Sequence, residues 1–379
     1  MNGVLSPSAV SSVANQVYQI RESNTFTGSF HNDFTKNFDL TTNQIKGVSG
    51  GLINQLFNIK SGFALTAQGI TPQFKKHHII GIRGSDSGAD WLSNANIGVT
   101  NGPKNMAVHA GFQKIFRTLR PEFEQYINHH KPRCLHCVGH SLGGALAQLT
   151  AVWASERGIP VKLYTFGAPR SILTNSVPKA QTKISHHRMI HGADPVPKVP
   201  IWPFSHTTGE YQLGMSENSR IDFGAHSMTH SPGYMVSASA YADFGSMASR
   251  YNPMNTQRVV LRYEDRYQAS FSQRWQRRIS DALITLLKDT GQYALIAAQA
   301  SLGIGLTFYD ILARSLNAIA KASVAAYEQV TGILGHMLAF AGRKTQQIIE
   351  VTAKFIRWVF EVMIAALYKM AKAAVDSIS

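Results

Sequence analysis

Apolar positions along this 379-residue chain fall into two textures. Up to about residue 270, short apolar runs alternate with Gly, Pro and polar clusters, the pattern of strands and helices taking turns. Residues 62–67 and 78–82 read as strands joined by a turn through Pro72, and residues 108–126 as a helix closing near Pro132. A strand through Val138 precedes a helix over 143–156, which Gly158 and Pro160 stop. Residues 161–166 and 188–191 are further strands, whereas 205–211 shows no strand pattern and reads as a loop. Ahead of all these lies a Ser/Asn/Thr-rich opening with one amphipathic stretch around Leu52, Leu56 and Ile59 that predicts a helix. Strands alternating with helices predict an α/β fold with a largely parallel central sheet.

From about Arg274 prolines vanish, charges thin out and Ala, Leu, Ile, Gly and Val dominate, which predicts several long helices. Residues 290–309 carry no charge and approach the length of a membrane span, although Gln292, Gln299 and several glycines weaken that reading. Residues 330–342 are too short to span, and 355–368 are broken by Arg357 and Glu361, so both suit buried or interfacial helices. The organisation expected is an N-terminal extension over 1–60, partly helical, an α/β domain over 61–255, and a helical region over 256–379. That last region either packs on the domain as a bundle or meets a membrane or partner.

Charge narrows the partners. Lys and Arg number 37 against 22 Asp and Glu, a formal charge of +15, which favours anionic partners. No nucleic-acid-binding motif accompanies it, so an anionic membrane is expected and nucleic acid is not. Cys134 and Cys137 are the only cysteines. On a strand, residues three apart face opposite ways, and two ligands do not make a structural zinc site, so buried reduced thiols and no metal are expected. The first residues carry neither a basic n-region nor a continuous apolar run. The expectation is a protein made in the cytoplasm without a signal peptide.

The chemistry concentrates at Cys134-Leu135-His136-Cys137-Val138-Gly139-His140-Ser141-Leu142-Gly143-Gly144, an apolar strand turning sharply into an Ala- and Leu-rich helix. Gly139 and Gly143 flank Ser141 by two residues each, as a nucleophile elbow requires, because strand and helix approach too closely for a β-carbon. The Leu142 N–H then stands at the helix start, where it can meet developing negative charge on a carbonyl oxygen. A serine nucleophile needs a histidine base, and the base needs an acid to hold its tautomer. Asp194, in a loop after an apolar strand, is the candidate acid. His206, His226 and His230 follow; His226 is the favoured base and His230 the alternative, both preceding the predicted helix opened by Ser231-Pro232.

With these residues in place the chain resembles the class 3 (fungal-type) lipase family over roughly residues 60–245. Ile82-Arg83-Gly84-Ser85 with Asp90-Trp91 is similar to that family's oxyanion-loop and lid signature, and Val108-His109-Ala110-Gly111-Phe112 to its next motif. The Ser141 elbow, Thr165-Phe166-Gly167-Ala168-Pro169 and Asp194-Pro195-Val196-Pro197 complete the order. The resemblance implies an α/β-hydrolase with Ser85 and Leu142 forming the oxyanion hole and a lid containing Ser87, Asp90 and Trp91. It implies ester hydrolysis through an acyl-enzyme, with no cofactor. The family's histidine stands a few residues before an aromatic; here both His226 and His230 precede Tyr234, while the Ser-His segment before Glu210-Tyr211 demotes His206. A lipase core, a basic surface and a Pro-free helical tail point to phospholipid acyl esters, with triacylglycerol or simple esters as the alternative. The architecture resembles bacterial phospholipase effectors delivered into rival cells by specialised secretion and neutralised by an immunity protein. A further alternative makes the tail itself a membrane-permeabilising toxin.

Overall fold

Residues 3–19, 29–40, 64–84, 98–214, 218–230, 232–247, 249–251, 257–302, 308–343 and 350–377 are described in a computed structural model. Their centre is an eight-stranded sheet: β1 (Phe38–Leu40), β2 (Ala64–Gly69), β3 (His77–Ile82), β4 (Cys134–His140), β5 (Val161–Phe166), β6 (Ile184–His191), β7 (Glu210–Gly214) and β8 (Ser249–Tyr251). The strands lie side by side in chain order. Neighbours from β3 to β7 pair in parallel; β1, β2 and β8 add antiparallel edges. A smaller four-stranded sheet joins Val99–Asn101, Ala107–His109, Ile172–Leu173 and Phe204–Ser205.

The main helices are α1 (Pro7–Gln16), α2 (Ala110–His130), α3 (Leu142–Glu156), α4 (Tyr234–Ser239), α5 (Gln273–Asp289), α6 (Tyr293–Leu302), α7 (Phe308–Ala322), α8 (Val324–Phe340) and α9 (Ala353–Asp376). The opening of the chain packs into the core. Ser6 caps α1 by accepting the Ala9 N–H, Pro7 stands in its first turn, and Ala9, Val10, Val13 and Val17 are buried. They cover Val138, Tyr164, Phe166 and Met189 on one face of the sheet, together with Tyr234 and Ala238 of α4. The sequence reading missed α1 because its Ser and Gln positions dilute the apolar stripe; the helix predicted around Leu52 to Ile59 lies outside the described residues.

Other boundaries moved for local reasons. Val108 belongs to a short strand, and α2 starts after it and runs on past Tyr126 to His130. Ser231 lies outside the described residues, but α4 opens at Tyr234 with Gly233 as its N-cap, not at Ser231-Pro232. Of residues 205–211, expected as loop, Glu210 and Tyr211 open β7; its buried Glu210 pairs with Arg188 of β6, so a charged side chain occupies a core-facing position and hides the strand pattern.

On the opposite face, α2 and α3 cover Leu135, Cys137 and Leu163, and this core runs without interruption into the C-terminal helices. Val199, Ile201, Trp202 and Phe204 connect to Leu283, Leu316, Leu334 and Phe360 in a single apolar cluster. Ser272, Ser323 and Thr352 cap α5, α8 and α9 by accepting the N–H groups of Trp275, Ala326 and Phe355. Within the uncharged stretch α6 covers Tyr293–Leu302 and α7 begins at Phe308, and Gly291 turns ahead of α6 with φ +69°. Among the described residues no helix is long and apolar enough to cross a membrane.

The shared core has a direct consequence. Each fully buried Leu or Phe represents about 1.5–3 kcal/mol of burial, and domain stability is only about 5–15 kcal/mol in total. A chain ended after Ser272 uncovers more apolar surface than the remainder can tolerate. It is expected to lose its cooperative thermal transition and elute as aggregate in size-exclusion chromatography, while the full chain unfolds in one step.

Candidate active site

β4 ends at His140, and the chain reverses at Ser141 with φ 56° and ψ −131°, a conformation non-glycine residues adopt only when their surroundings enforce it. The enforcement is steric. A β-carbon on Gly139 would lie 2.2 Å from the Gly143 carbonyl oxygen, and one on Gly143 would lie 2.2 Å from the Ile82 carbonyl oxygen. The Ser141 N–H is tied to the Phe166 carbonyl at 3.0 Å, and Leu142 opens α3, so its N–H has no acceptor within the helix.

Asp194 follows β6 and lies at the centre of three donors. Its Oδ1 accepts the Val196 N–H at 2.8 Å, and its Oδ2 accepts His226 Nδ1–H at 2.8 Å and the Tyr234 hydroxyl at 2.6 Å. Burial alone would raise this carboxyl, but the attraction of His226, the hydrogen bonds from His226 and Tyr234 and the nearby Lys198 outweigh it and hold Asp194 below the usual carboxylate range. Lys198 donates to the carbonyls of Gly192 and Asp194 and so closes the acid loop from behind.

His226 ends a 3-10 turn, Phe223–His226. With Nδ1–H committed to Asp194, its Nε2 carries a lone pair. Among the described residues Ser141 Oγ and His226 Nε2 are both buried and have no hydrogen-bond partner, and Ser141, Asp194 and His226 are each fully screened from solvent. Buried polar atoms without partners are costly, and a reacting hydroxyl and its base are where such a cost is retained.

The neighbouring ring of His140 lies tilted against His226 with centroids 4.6 Å apart and donates Nε2–H to the His226 carbonyl at 2.9 Å. Burial and the adjacent His226 hold His140 well below the usual imidazole range, so it stays neutral. Its Nδ1 meets the Tyr18 hydroxyl at 2.9 Å, and that hydroxyl lies against Gly84. Gly167 turns at φ +55°, and a β-carbon there would lie 2.8 Å from Asp194 Oδ2 and 3.0 Å from His226 Nδ1. The Thr165-Phe166-Gly167 segment thus has a steric reason for its glycine.

The structure therefore brings Asp194 and His226 together and leaves the other histidines elsewhere. His230 is exposed and its Nδ1 pairs with Ser227 Oγ at 3.0 Å. His206 is buried with Nε2 on the Pro197 carbonyl at 2.7 Å. Ser85, Ser87, Asp90 and Trp91 lie outside the described residues. Tyr234 served only as a spacing marker in the sequence; its hydroxyl on the acid was not foreseen. Nor was the role of the tail: α9 packs against both the Phe223–His226 turn and the Val196–Lys198 turn, bracing the loops that carry the candidate base and acid. Among the described residues one further cluster has metal-ligating character, His77, Cys134 and His136, at the far end of the sheet.

Residues 79–204 match the family model of lipase (class 3). Over that segment the chain is similar to the class 3 lipases. It is 32% identical over 154 residues to secreted mono- and diacylglycerol lipase 1 of Fusarium solani, covering 38% of this chain and 46% of that protein. It is also 32% identical over 118 residues to toxin TseL of Vibrio cholerae, covering 30% of this chain and 18% of that protein. The chain thus spans less than half the length of either relative. Among solved structures, Lip2 lipase from Yarrowia lipolytica aligns with a TM-score of 0.43 at 21% identity, over 55% of this chain and 77% of that one.

One experiment separates the two candidate bases. His226→Ala is expected to lower kcat by at least about 10³-fold, whereas His230→Ala stays within about twofold of wild type. Equal losses in both variants would contradict the geometry.

Proposed function

We propose that this chain is a serine ester hydrolase of A-type phospholipase character, cleaving acyl esters of an anionic bilayer. The observation that carries the reading is the buried Asp194–His226 pair at 2.8 Å with His226 Nε2 and Ser141 Oγ both without hydrogen-bond partners among the described residues. His226 Nε2 takes the Ser141 proton, and the alkoxide attacks the ester carbonyl. The oxyanion is met by the Leu142 N–H and, by family resemblance, by Ser85. The leaving alcohol departs with the proton, and water, activated by the same imidazole, releases the fatty acid. Lipid as substrate is supported by the match of residues 79–204 to the class 3 lipase model. A phospholipid in an anionic surface is supported by the formal charge of +15.

An antibacterial effector role, with specialised delivery and an immunity protein as partner, is supported by similarity to a protein named a toxin. A neutral-glyceride substrate is the second reading, favoured by the Fusarium solani relative's name. The tail as an independent permeabilising device has less support, because its apolar faces are spent in the shared core.

Purified protein supplied separately with phosphatidylglycerol vesicles, phosphatidylethanolamine vesicles and tributyrin tests these readings. Fatty-acid release from phosphatidylglycerol at least about tenfold above the Ser141→Ala background is expected. Turnover of tributyrin alone would remove the phospholipase reading; no turnover of any ester would remove the hydrolase. Dye leakage that persists in Ser141→Ala would favour the tail.

A further inference from the structure

His77 opens β3, and Cys134 and His136 stand in the first half of β4. The parallel register sets His77 beside Cys134 and Ile79 beside His136. Because side chains alternate along a strand, all three residues project from one face, the face covered by α1, while Cys137 projects into the opposite core. One nitrogen from each imidazole and the Cys134 sulfur lie within 4.8 Å of one another. His77 Nδ1 and His136 Nε2 are 3.0 Å apart, and the ring centroids are 5.3 Å apart.

We propose that His77 Nδ1, His136 Nε2 and Cys134 Sγ bind one zinc ion. Zinc takes imidazole nitrogen at about 2.0–2.1 Å and thiolate at about 2.3 Å in a tetrahedron, which needs donor atoms separated by roughly 3.3–3.8 Å, so small side-chain rotations complete the set. The opposite nitrogen of His136, Nδ1, meets the Tyr164 hydroxyl at 3.4 Å, which leaves the Nε2 lone pair directed at His77 and Cys134. An imidazole held by its other nitrogen in this way is how ligating histidines are oriented. His136 and Cys134 are buried, while His77 is half-buried and leaves a fourth position for water. Two imidazoles and a thiolate with no carboxylate select a borderline-soft ion over magnesium or calcium.

Binding forms two Zn–N bonds and one Zn–S bond; the thiol proton passes to solvent, and His77 carries its proton on Nε2. The ion joins the starts of β3 and β4. Ser141 follows the other end of β4, about 20 Å away at roughly 3.3 Å per residue, so the metal acts on the architecture and not on the ester.

Full-length protein stripped of metal and titrated with Co²⁺ gives the test. One equivalent is expected to produce tetrahedral visible bands and a thiolate-to-cobalt charge-transfer band in the near ultraviolet, both displaced by one equivalent of Zn²⁺. Cys137→Ala is expected to keep the band. Cys134→Ser is expected to abolish it and to weaken Co²⁺ binding at least about tenfold. His77→Gln, at a half-buried strand start where folding is least at risk, is expected to weaken binding by a similar factor. Lack of a charge-transfer band in the wild type, a band that survives Cys134→Ser or disappears in Cys137→Ala, or a His77→Gln variant that binds within twofold of wild type would each overturn the assignment.

Discussion

Ser141→Ala is expected to lower kcat toward a short-chain ester by about 10⁴- to 10⁶-fold, with KM and the thermal transition nearly unchanged. The size of the loss follows from the geometry. Ser141 Oγ is the hydroxyl at the enforced elbow, and it and His226 Nε2 are both buried without hydrogen-bond partners among the described residues. Stability should hardly move, because the removed hydroxyl has no hydrogen-bond partner to orphan among the described residues, and relief of one buried polar atom offsets the few lost contacts. Burst kinetics with a chromogenic ester provides the check: the wild type accumulates an acyl-enzyme and the variant does not. A variant that retains more than about a hundredth of wild-type kcat would mean that another group is the nucleophile.

Asp194→Asn carries the second large effect, about 10⁴-fold in kcat near neutral pH, and unlike the first it also costs stability. Three donors converge on this carboxylate, from Val196, His226 and Tyr234. An amide has one acceptor oxygen, so whichever way it is turned at least one donor faces an N–H₂ group. If that donor is His226 Nδ1–H, the ring must shift its proton to Nε2, and the base is lost. A buried donor without a partner costs about 1–3 kcal/mol, so the variant should melt several degrees below wild type. The pH dependence has a definite sign. Despite burial, Asp194 is held below the usual carboxylate range by His226 and its hydrogen bonds. Its stabilising contribution is therefore complete above about pH 3.9, the unfolded value, and fades as pH falls further through the folded value. The gap in Tm between wild type and Asp194→Asn should be constant at neutral pH and narrow below about pH 4. A gap that widens in acid would contradict the pairing.

Much of the site was legible in order and spacing. The elbow could be read because its constraint is local: residues two apart on either side of Ser141 must lack β-carbons, and the clashes of 2.2 Å at Gly139 and Gly143 show the same constraint in space. Asp194 could be read because a loop after an apolar strand is where a parallel sheet presents polar groups. The choice between His226 and His230 could not, because both stand at similar spacing before Tyr234 and the reach of a loop is not written in its residues. The Tyr234 hydroxyl on the acid, and the His140 ring on the base, depend on elements 40 and 86 residues apart along the chain.

The same division explains the flanks. Tail helices announce themselves through periodicity and missing prolines, since helix formation is a property of neighbouring residues. Whether their apolar stripes face lipid, a partner or this chain's own α2 and α3 is a matter of which surfaces meet, and they meet the core that also holds Trp202 and Phe204. Cys134 and Cys137 looked like a pair in one dimension; the two-residue alternation of β4 separates them and sets Cys134 with His136 and, from the adjacent strand, His77. Local backbone chemistry needs only nearest neighbours and is therefore encoded in short stretches of residues. Contacts between distant segments depend on strand order and on the registry of the sheet, and those arise only when the whole chain collapses onto one core.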